Sequence, residues 1–368
     1  MLKNYRYRIY PTKKQTKALE GVLEECRWLY NHFLAERKDS WENSQTNTTW
    51  YDQCRTLPAL KEGRPTLKNV HSQVLQNVGV RIDLAFKAFF RRCKSGEAPG
   101  YPRFKGRFRY DSFTFSQAPS GCSIKNNRLS VFKIGSIKLV QHRILGGNPK
   151  TATLLRSATG KWYVTFACEV EPQVLPARDN PVGIDVGLHT FASFSDGIVI
   201  DNPRFFKREE KKLAQAQRKL SKETKGTPKR CKRRKVVARI HERIGFRRDD
   251  FTHQESRRVV NGYGRIFVED LNVNRMVHNN CLAKSISDAA WSQFFAKTCA
   301  KAVEAGRMFV AVNPAYTSQI CSQCGHRQPM PLSRRVFDCP CCNLHIDRDL
   351  NASLNILRLG IQAVGENP

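Results

Sequence analysis

Two Cys-x-x-Cys pairs, Cys321/Cys324 and Cys339/Cys342, run directly into an acidic helix start, Asp347-Arg-Asp349-Leu-Asn351. Four soft thiolates in tetrahedral geometry close a structural Zn²⁺ site, and paired hairpins of this spacing supply them. Such a site folds the chain between the pairs into a small ribbon and holds the following helix beside it. Cys341 competes with Cys342 for the fourth position. Cys342 is preferred, because a knuckle that clamps a metal from both sides keeps two residues between its sulfurs. His326 and His345 lie near enough to substitute, although four thiolates already complete the set. The other cysteines, Cys26, Cys54, Cys93, Cys122, Cys168, Cys231, Cys281 and Cys299, show no pairing rhythm.

A chain of 368 residues has room for two or three cored domains. Its net charge of +31 and pI near 10.0 exceed what solubility needs. An excess of Lys and Arg on this scale suits a phosphate backbone. A membrane surface is the other partner for such charge, but no apolar run approaches the roughly 20 residues of a span. The start, Met1-Leu-Lys-Asn-Tyr-Arg-Tyr-Arg, has no apolar leader core. Thirteen cysteines without an export signal then point to a reducing cytoplasm and a metal site instead of disulfides.

Local patterns organise the first half. Thr12 with Gln15 predicts a capping box, and Leu19, Leu23, Cys26, Leu29 and Phe33 recur at helical spacing after it. A second amphipathic helix carries Val70, Val74, Leu75, Val78, Ile82 and Phe86. On its polar face Ser72, Gln73 and Gln76 could contact base edges, since amide side chains make bidentate bonds to adenine. From Gly100 to Tyr110 aromatic and basic residues interleave, with Arg103 and Lys105 placed to hold phosphates while rings stack on bases. Lys161 to Val170 alternates strictly and pairs with Thr151 to Arg156 as a β-hairpin. A Pro-rich stretch, Glu171 to Pro181, marks the main domain boundary.

Three acidic anomalies dominate the second half. Asp185 sits inside the apolar strand Val182-Gly-Ile-Asp-Val, where burial and β-propensity both disfavour it. Gly183 and Gly187 beside it leave room for a ligand or a phosphate backbone to approach. Glu269-Asp270 ends another apolar strand, and Asp347 and Asp349 open the last helix. Each has an ordinary alternative, and Asp349 could serve only as an N-cap. Converging, they would repel unless divalent cations lay between them, and two Mg²⁺ ions about 4 Å apart would support in-line phosphodiester hydrolysis. Between the first two anomalies a basic stretch from Lys207 to Arg258, broken at Lys225 to Pro228, predicts a helical hairpin. Its cations, including Arg233, Arg234, Arg247 and Arg248, are expected to track a duplex.

These residues carry a resemblance that runs nearly end to end. Y-N-H-F-L at Tyr30, F-K-A-F-F-R-R at Phe86, G-Y-P-R-F-K at Gly100, G-I-D-V-G-L at Gly183 and V-E-D-L-N-V at Val268 belong to it. So do L-A-K-S-I-S-D-A-A-W at Leu282, T-S-Q-I-C-S-Q-C-G at Thr317 and D-R-D-L-N-A-S-L-N-I at Asp347. The chain resembles the OrfB or TnpB proteins of insertion sequences, transposon-encoded RNA-guided nucleases related to miniature type V CRISPR effectors. The resemblance implies an α+β multidomain protein. A β-barrel wedge domain (1–15 and 98–178) would hold an inserted helical recognition lobe (16–97). An RNase H-like RuvC nuclease domain (181–314 and 346–368) would carry a zinc-ribbon, target-nucleic-acid-binding insertion (315–345). It implies catalysis by Asp185, Glu269 and Asp349 holding two Mg²⁺, with Asp349 selected over Asp347 by its place before Asn351 in D-x-N-A. Cys321, Cys324, Cys339 and Cys342 would bind Zn²⁺, with Asn343 where the family normally has Gly. The implied partners are one guide RNA from the transposon end and double-stranded target DNA carrying a short adjacent motif. That motif would be read by the lobe containing Gln76. The implied location is a bacterial or archaeal cytoplasm, at the nucleoid, away from membranes. A DNA-joining transposase would order its carboxylates Asp, Asp, Glu, and a nuclease-inactive repressor would lack one of them. An accessory transposition protein that only binds DNA is the remaining alternative.

Overall fold

The computed structural model describes residues 1–365 except 108 and 332. Phe108 of the aromatic-basic patch and the last three residues of the expected 346–368 segment therefore lie outside it. The chain forms two compact units, Met1–Glu171 and Pro172–Pro368.

In the first unit the elements run β1 (Leu2–Tyr10), α1 (Lys13–Ser44), α2 (Trp50–Arg55), α3 (Leu57–Gly63), a 3-10 turn at Pro65–Asn69 and α4 (Ser72–Lys94). They continue with β2 (Ser112–Phe115), α5 (Ala118–Gly121), β3 (Cys122–Lys125), β4 (Arg128–Val131), β5 (Gly135–Val140), β6 (Asn148–Arg156) and β7 (Trp162–Glu169). Thr12 and Gln15 close the expected capping box at the start of α1. The expected hairpin is β6–β7, with Arg156 opposite Trp162 and with Trp162, Val164, Phe166 and Cys168 buried on one face. The strand β1 is the element that local pattern did not reveal. It lies inside a nearly closed seven-stranded sheet of order β2-β6-β7-β1-β5-β4-β3, paired antiparallel to β7 and β5. Tyr5, Tyr7 and Ile9 alternate inward from it. Tyr7, Phe33, Phe113, Phe115 and Phe166 are all but fully buried in one core shared by sheet and helices. Each such ring contributes about 1.5–3 kcal/mol by leaving water.

The second unit contains β8 (Pro181–Val186), β9 (Thr190–Phe194), β10 (Val199–Asp201), α6 (Phe205–Ser221), α7 (Pro228–Gly262), β11 (Arg265–Glu269), α8 (Val273–Met276) and α9 (Ala283–Ala289). It ends with α10 (Trp291–Ala305), β12 (Met308–Val312), β13 (Val336–Asp338), β14 (His345–Asp347) and α11 (Arg348–Ala363). Its main sheet has the order β10-β9-β8-β11-β12. The first three strands form an antiparallel meander, while β11 runs parallel to both β8 and β12. Strand alternation divides the sheet between two sets of helices. Val182, Ile184, Ile266 and Val268 share a core with Val259 and Val260 of α7 and Phe294 of α10. Phe267 packs instead with Ile356 of α11. Gly183, Asp185 and Glu269 fall in the Phe267 phase, so both carboxylates face the side covered by α11.

The expected helical hairpin is α6 and α7, interrupted at Lys222 to Thr227. Arg230 of α7 donates to the carbonyls of Leu220 and Glu223 at 3.0 and 2.6 Å, covering the end of α6. No described helix is long and apolar enough to cross a membrane.

Candidate functional site

Asp185 lies near the carboxyl end of β8, and Glu269 ends the neighbouring parallel strand β11. The register pairs Val268 with Ile184, so Glu269 sits level with Asp185. Carboxyl ends of adjacent parallel strands are where open α/β sheets gather functional groups.

The third carboxylate arrives through a backbone contact. A Cβ on Gly183 would meet the Ser353 carbonyl oxygen at 2.1 Å and the Leu357 nitrogen at 2.5 Å. Only glycine lets α11 lie that close to β8. The space expected to admit a ligand beside Gly183 is thus taken by α11, a correction with a plain steric cause. Gly187 is more open, its nearest neighbour being the Thr190 carbonyl at 3.1 Å, with Asp349 Oδ2 at 3.9 Å. Two residues along a strand cover about 6.6 Å. Four residues back along a helix cover about 6 Å. The step from Gly183 to Asp185 is therefore matched by the step from Ser353 to Asp349. Asp349 is also free of capping duty. Asp347 is the N-cap, its Oδ1 accepting from the Asp349 and Leu350 amides at 2.9 and 3.0 Å. Asp349 Oδ2 accepts from Thr190 Oγ1 at 3.3 Å and lies 3.8 Å from Arg335.

Charge crowding follows. Burial first, then the negative charges of Glu269 and Asp349, hold the Asp185 carboxyl well above the usual carboxylate range, opposed by Arg348 and the Val186 amide. Burial also raises Glu269, which is 8% exposed, while a 2.6 Å hydrogen bond donated by Thr317 Oγ1 pulls it back. The three carboxylates offer hard oxygen donors, the ligand type that divalent cations such as Mg²⁺ take.

The four-cysteine set is tighter. The ligand atoms of Cys321, Cys324, Cys339 and Cys342 all lie within 4.8 Å of one another, the one such group among the described residues. Cys321 Sγ and Cys342 Sγ are 3.6 Å apart, and Cys324 Sγ and Cys339 Sγ 3.5 Å. Zn–S bonds of about 2.3 Å in a tetrahedron put sulfurs about 3.8 Å apart, so the set fits Zn²⁺. Both knuckles share one turn. Gly325 donates to the Cys321 carbonyl and Asn343 to the Cys339 carbonyl, each from a left-handed residue at φ 79° and 57°. Asn tolerates that conformation, which is why Asn343 can stand where glycine is usual. Burial opposes ionisation of Cys339, but the backbone amides of Cys342 and Cys341 and its neighbouring thiols hold it down at about 6. Cys341 is exposed and outside the cluster, and His345 bonds to Asp338 instead.

The expected nucleic-acid contacts divide. On α4, Gln76 is exposed, whereas Gln73 exchanges hydrogen bonds with Gln117 and Ser72 accepts from Lys61. Arg103 is exposed, and the Lys105 ammonium lies 5.5 Å from the Tyr30 ring. Arg234 is exposed on α7, and Arg233 lies 3.7 Å from Glu223. Arg247 pairs at 3.2 Å with buried Glu209. The Arg248 guanidinium meets Asp288, whose carboxylate also accepts from the Phe206 and Lys207 amides at the start of α6. Arg248 therefore fastens the hairpin to α9.

Sequence reasoning passed over a layer behind the carboxylates. Asn351 and Asn355, one turn apart on α11 and essentially unexposed, hold the carbonyls of Thr317 and Ile320. Two asparagines at i and i+4 on the apolar face of a helix were the available signal.

Comparison with known proteins gives three family matches. Residues 165–280 match the OrfB_IS605 family, described as probable transposase, and 291–356 match the Cas12f1-like TNB domain. Residues 1–46 match a model described as a helix-turn-helix domain, a segment that here forms β1 and one continuous helix, α1. A putative RNA-guided DNA endonuclease of Streptomyces pristinaespiralis is 33% identical over 366 residues, spanning 98% of this chain and 89% of the relative. The putative RNA-guided DNA endonuclease InsQ of Escherichia coli K12 is 30% identical over 389 residues, spanning 99% and 94%. The solved mini-RNA-guided endonuclease CRISPR-Cas_phi3 shares the fold, with TM-score 0.50 at 9% identity, covering 98% of this chain and 92% of that one.

Proposed function

This chain belongs to the OrfB (TnpB) family of insertion-sequence proteins, and from that premise we propose that it is an RNA-guided DNA endonuclease. Cleavage is assigned to the site around Asp185, Glu269 and Asp349. One observation carries this reading: Asp185 and Glu269 end level on the adjacent parallel strands β8 and β11, and the backbone contact at Gly183 lays α11 against them with Asp349 at its start. Carboxylates gathered in this way repel one another, and a bound cation would relieve that repulsion.

Asp185, Glu269 and Asp349 would hold two Mg²⁺, which in such a site activate a water and stabilise the leaving oxygen of a phosphodiester. Thr317 and Thr190 hold Glu269 and Asp349 by hydrogen bonds, and Arg335 places a cation at the same rim for a backbone phosphate. The four cysteines would hold a structural Zn²⁺.

The mixed five-stranded sheet with helices on both faces supports an RNase H-like, RuvC-type domain at 181–314 and 346–368, carrying a zinc-bearing insertion at 315–345. The nearly closed sheet supports a wedge at 1–15 and 98–178, with residues 16–97 as the recognition lobe. The partners are a guide RNA from the transposon end, one per protein, and a target duplex bearing a short adjacent motif. Exposed Gln76 and the exposed cations of α7 are the groups offered to them.

Protein purified with its co-expressed guide RNA should cut a matching duplex in Mg²⁺, and Asp185→Ala should bind the duplex without cutting it. Cutting by Asp185→Ala would refute the site. Sequencing the copurified RNA shows whether a guide is present, and its absence would favour a DNA-binding accessory role.

A further inference from the structure

We propose that Thr317 is a positioning residue for Glu269, and that the strap from Thr317 to Ser322 transmits the order of the four-cysteine centre to the carboxylate site. The inference rests on reading Glu269 as a cation-binding carboxylate.

Glu269 ends a strand, and its long side chain has several rotatable bonds to settle. Among the described residues the Thr317 side chain bonds it, with Oγ1 donating to Oε1 at 2.6 Å. Thr317 is 5% exposed, so water does not compete for that bond. A buried hydroxyl on a charged acceptor makes a short, strong bond that selects one orientation. The Oγ1 atom also lies 3.3 Å from the Pro314 carbonyl, a longer and weaker competitor for the same proton.

Thr317 is itself held from behind. Asn355 Nδ2 donates to the Thr317 carbonyl at 2.8 Å and to the Ile320 carbonyl at 2.7 Å. Asn351 Nδ2 donates to the same Ile320 carbonyl at 2.8 Å, and its Oδ1 accepts from the Ser322 amide at 2.9 Å. Cys321, one of the four thiols, lies between those anchors. Asn351 stands two residues after Asp349 on α11. One buried network thus joins a cysteine ligand, the helix that presents Asp349 and the hydroxyl that orients Glu269. Loss of order at Cys321 has a path of three hydrogen-bonded steps to Glu269. Partners behind a metal ligand commonly change metal affinity by about 10–100-fold when removed.

The test uses the full chain and Mn²⁺ as a paramagnetic probe, titrated by electron spin resonance beside cleavage and thermal melting. Thr317→Val should bind Mn²⁺ about 10–100-fold more weakly and cut proportionately less. Thr317→Ser, which keeps the hydroxyl, should recover most of both. Thr317→Ala serves if the valine variant melts early, with titration below both melting points. Cys342→Ser should weaken Mn²⁺ binding in the wild-type background and add little in the Thr317→Val background. Wild-type Mn²⁺ affinity in Thr317→Val, no recovery in Thr317→Ser, or full additivity with Cys342→Ser would overturn the proposal. Glu269→Gln separates the two levels. If it binds Mn²⁺ and cuts normally, the reading of Glu269 fails; if it abolishes both while Thr317→Val changes neither, only the role of Thr317 fails.

Discussion

Gly183→Ala isolates the contact that delivers Asp349. The added Cβ would lie 2.1 Å from the Ser353 oxygen and 2.5 Å from the Leu357 nitrogen, both backbone atoms that no rotamer change can remove. Restoring ordinary contact needs a shift of about 1 Å between β8 and α11, and overpacking of this kind costs about 1–3 kcal/mol. For a unit near 200 residues that corresponds to a melting point lower by about 2–12 °C. Asp349 is one helical turn from Ser353 and moves with it, while Asp185 stays on the strand. A misplacement of about 1 Å costs on the order of 100-fold in rate. Single-turnover cleavage by the purified guide complex should therefore fall about 100-fold, while duplex binding in a gel-shift assay is retained. Gly262→Ala, at the end of α7, is the control, since its Cβ would meet nothing within 4 Å. Wild-type cleavage by Gly183→Ala, with or without a lowered melting point, would refute the claim that this contact sets the position of Asp349.

Three further outcomes follow from particular contacts. Elemental analysis should find zinc in the wild type but not in Cys342→Ser, whereas Cys341→Ser, altered at an exposed thiol outside the cluster, should keep it; equal loss from both would contradict the ligand set. Asp288→Ala removes the cap of α6 and leaves the Arg248 charge partly buried, so urea unfolding should show a loss of about 3 kcal/mol; a loss below about 0.5 kcal/mol would make the latch incidental. Burial, then Arg257 and Lys297, push the Lys301 ammonium down to about 8. Its charged form is disfavoured in the fold, so the penalty is complete below pH 8 and fades as pH rises toward the unfolded value near 10.4. Wild type should accordingly gain stability relative to Lys301→Met between pH 8 and about 10.4, and a flat difference across that window would dismiss the effect.

What could be seen in the sequence depended on how far apart the interacting residues lie. The Thr12–Gln15 cap, the β6–β7 hairpin and the turn at Asn343 are each decided within a few residues, and each was legible. β1 was not, because its partners Glu169 and Val140 are more than 120 residues away and an alternating basic and aromatic run is ambiguous alone. The basic run on α7 was legible as charge but not as pairing. Glu209 and Asp288, which engage Arg247 and Arg248, come from α6 and α9, and nothing near the arginines announces them.

By itself, the sequence determined the chemistry available: four thiols at knuckle spacing, carboxylates out of place in apolar strands, and a large cationic excess. Those are properties of residue type and short-range spacing, which survive without a fold. Tertiary structure decided which atoms share a site. Gly183 became the bearing surface for α11, and Thr317 turned toward Glu269 from 48 positions along the chain. Both depend on how α11 and the strap before it pack on the strands, and no local run of residues fixes that packing.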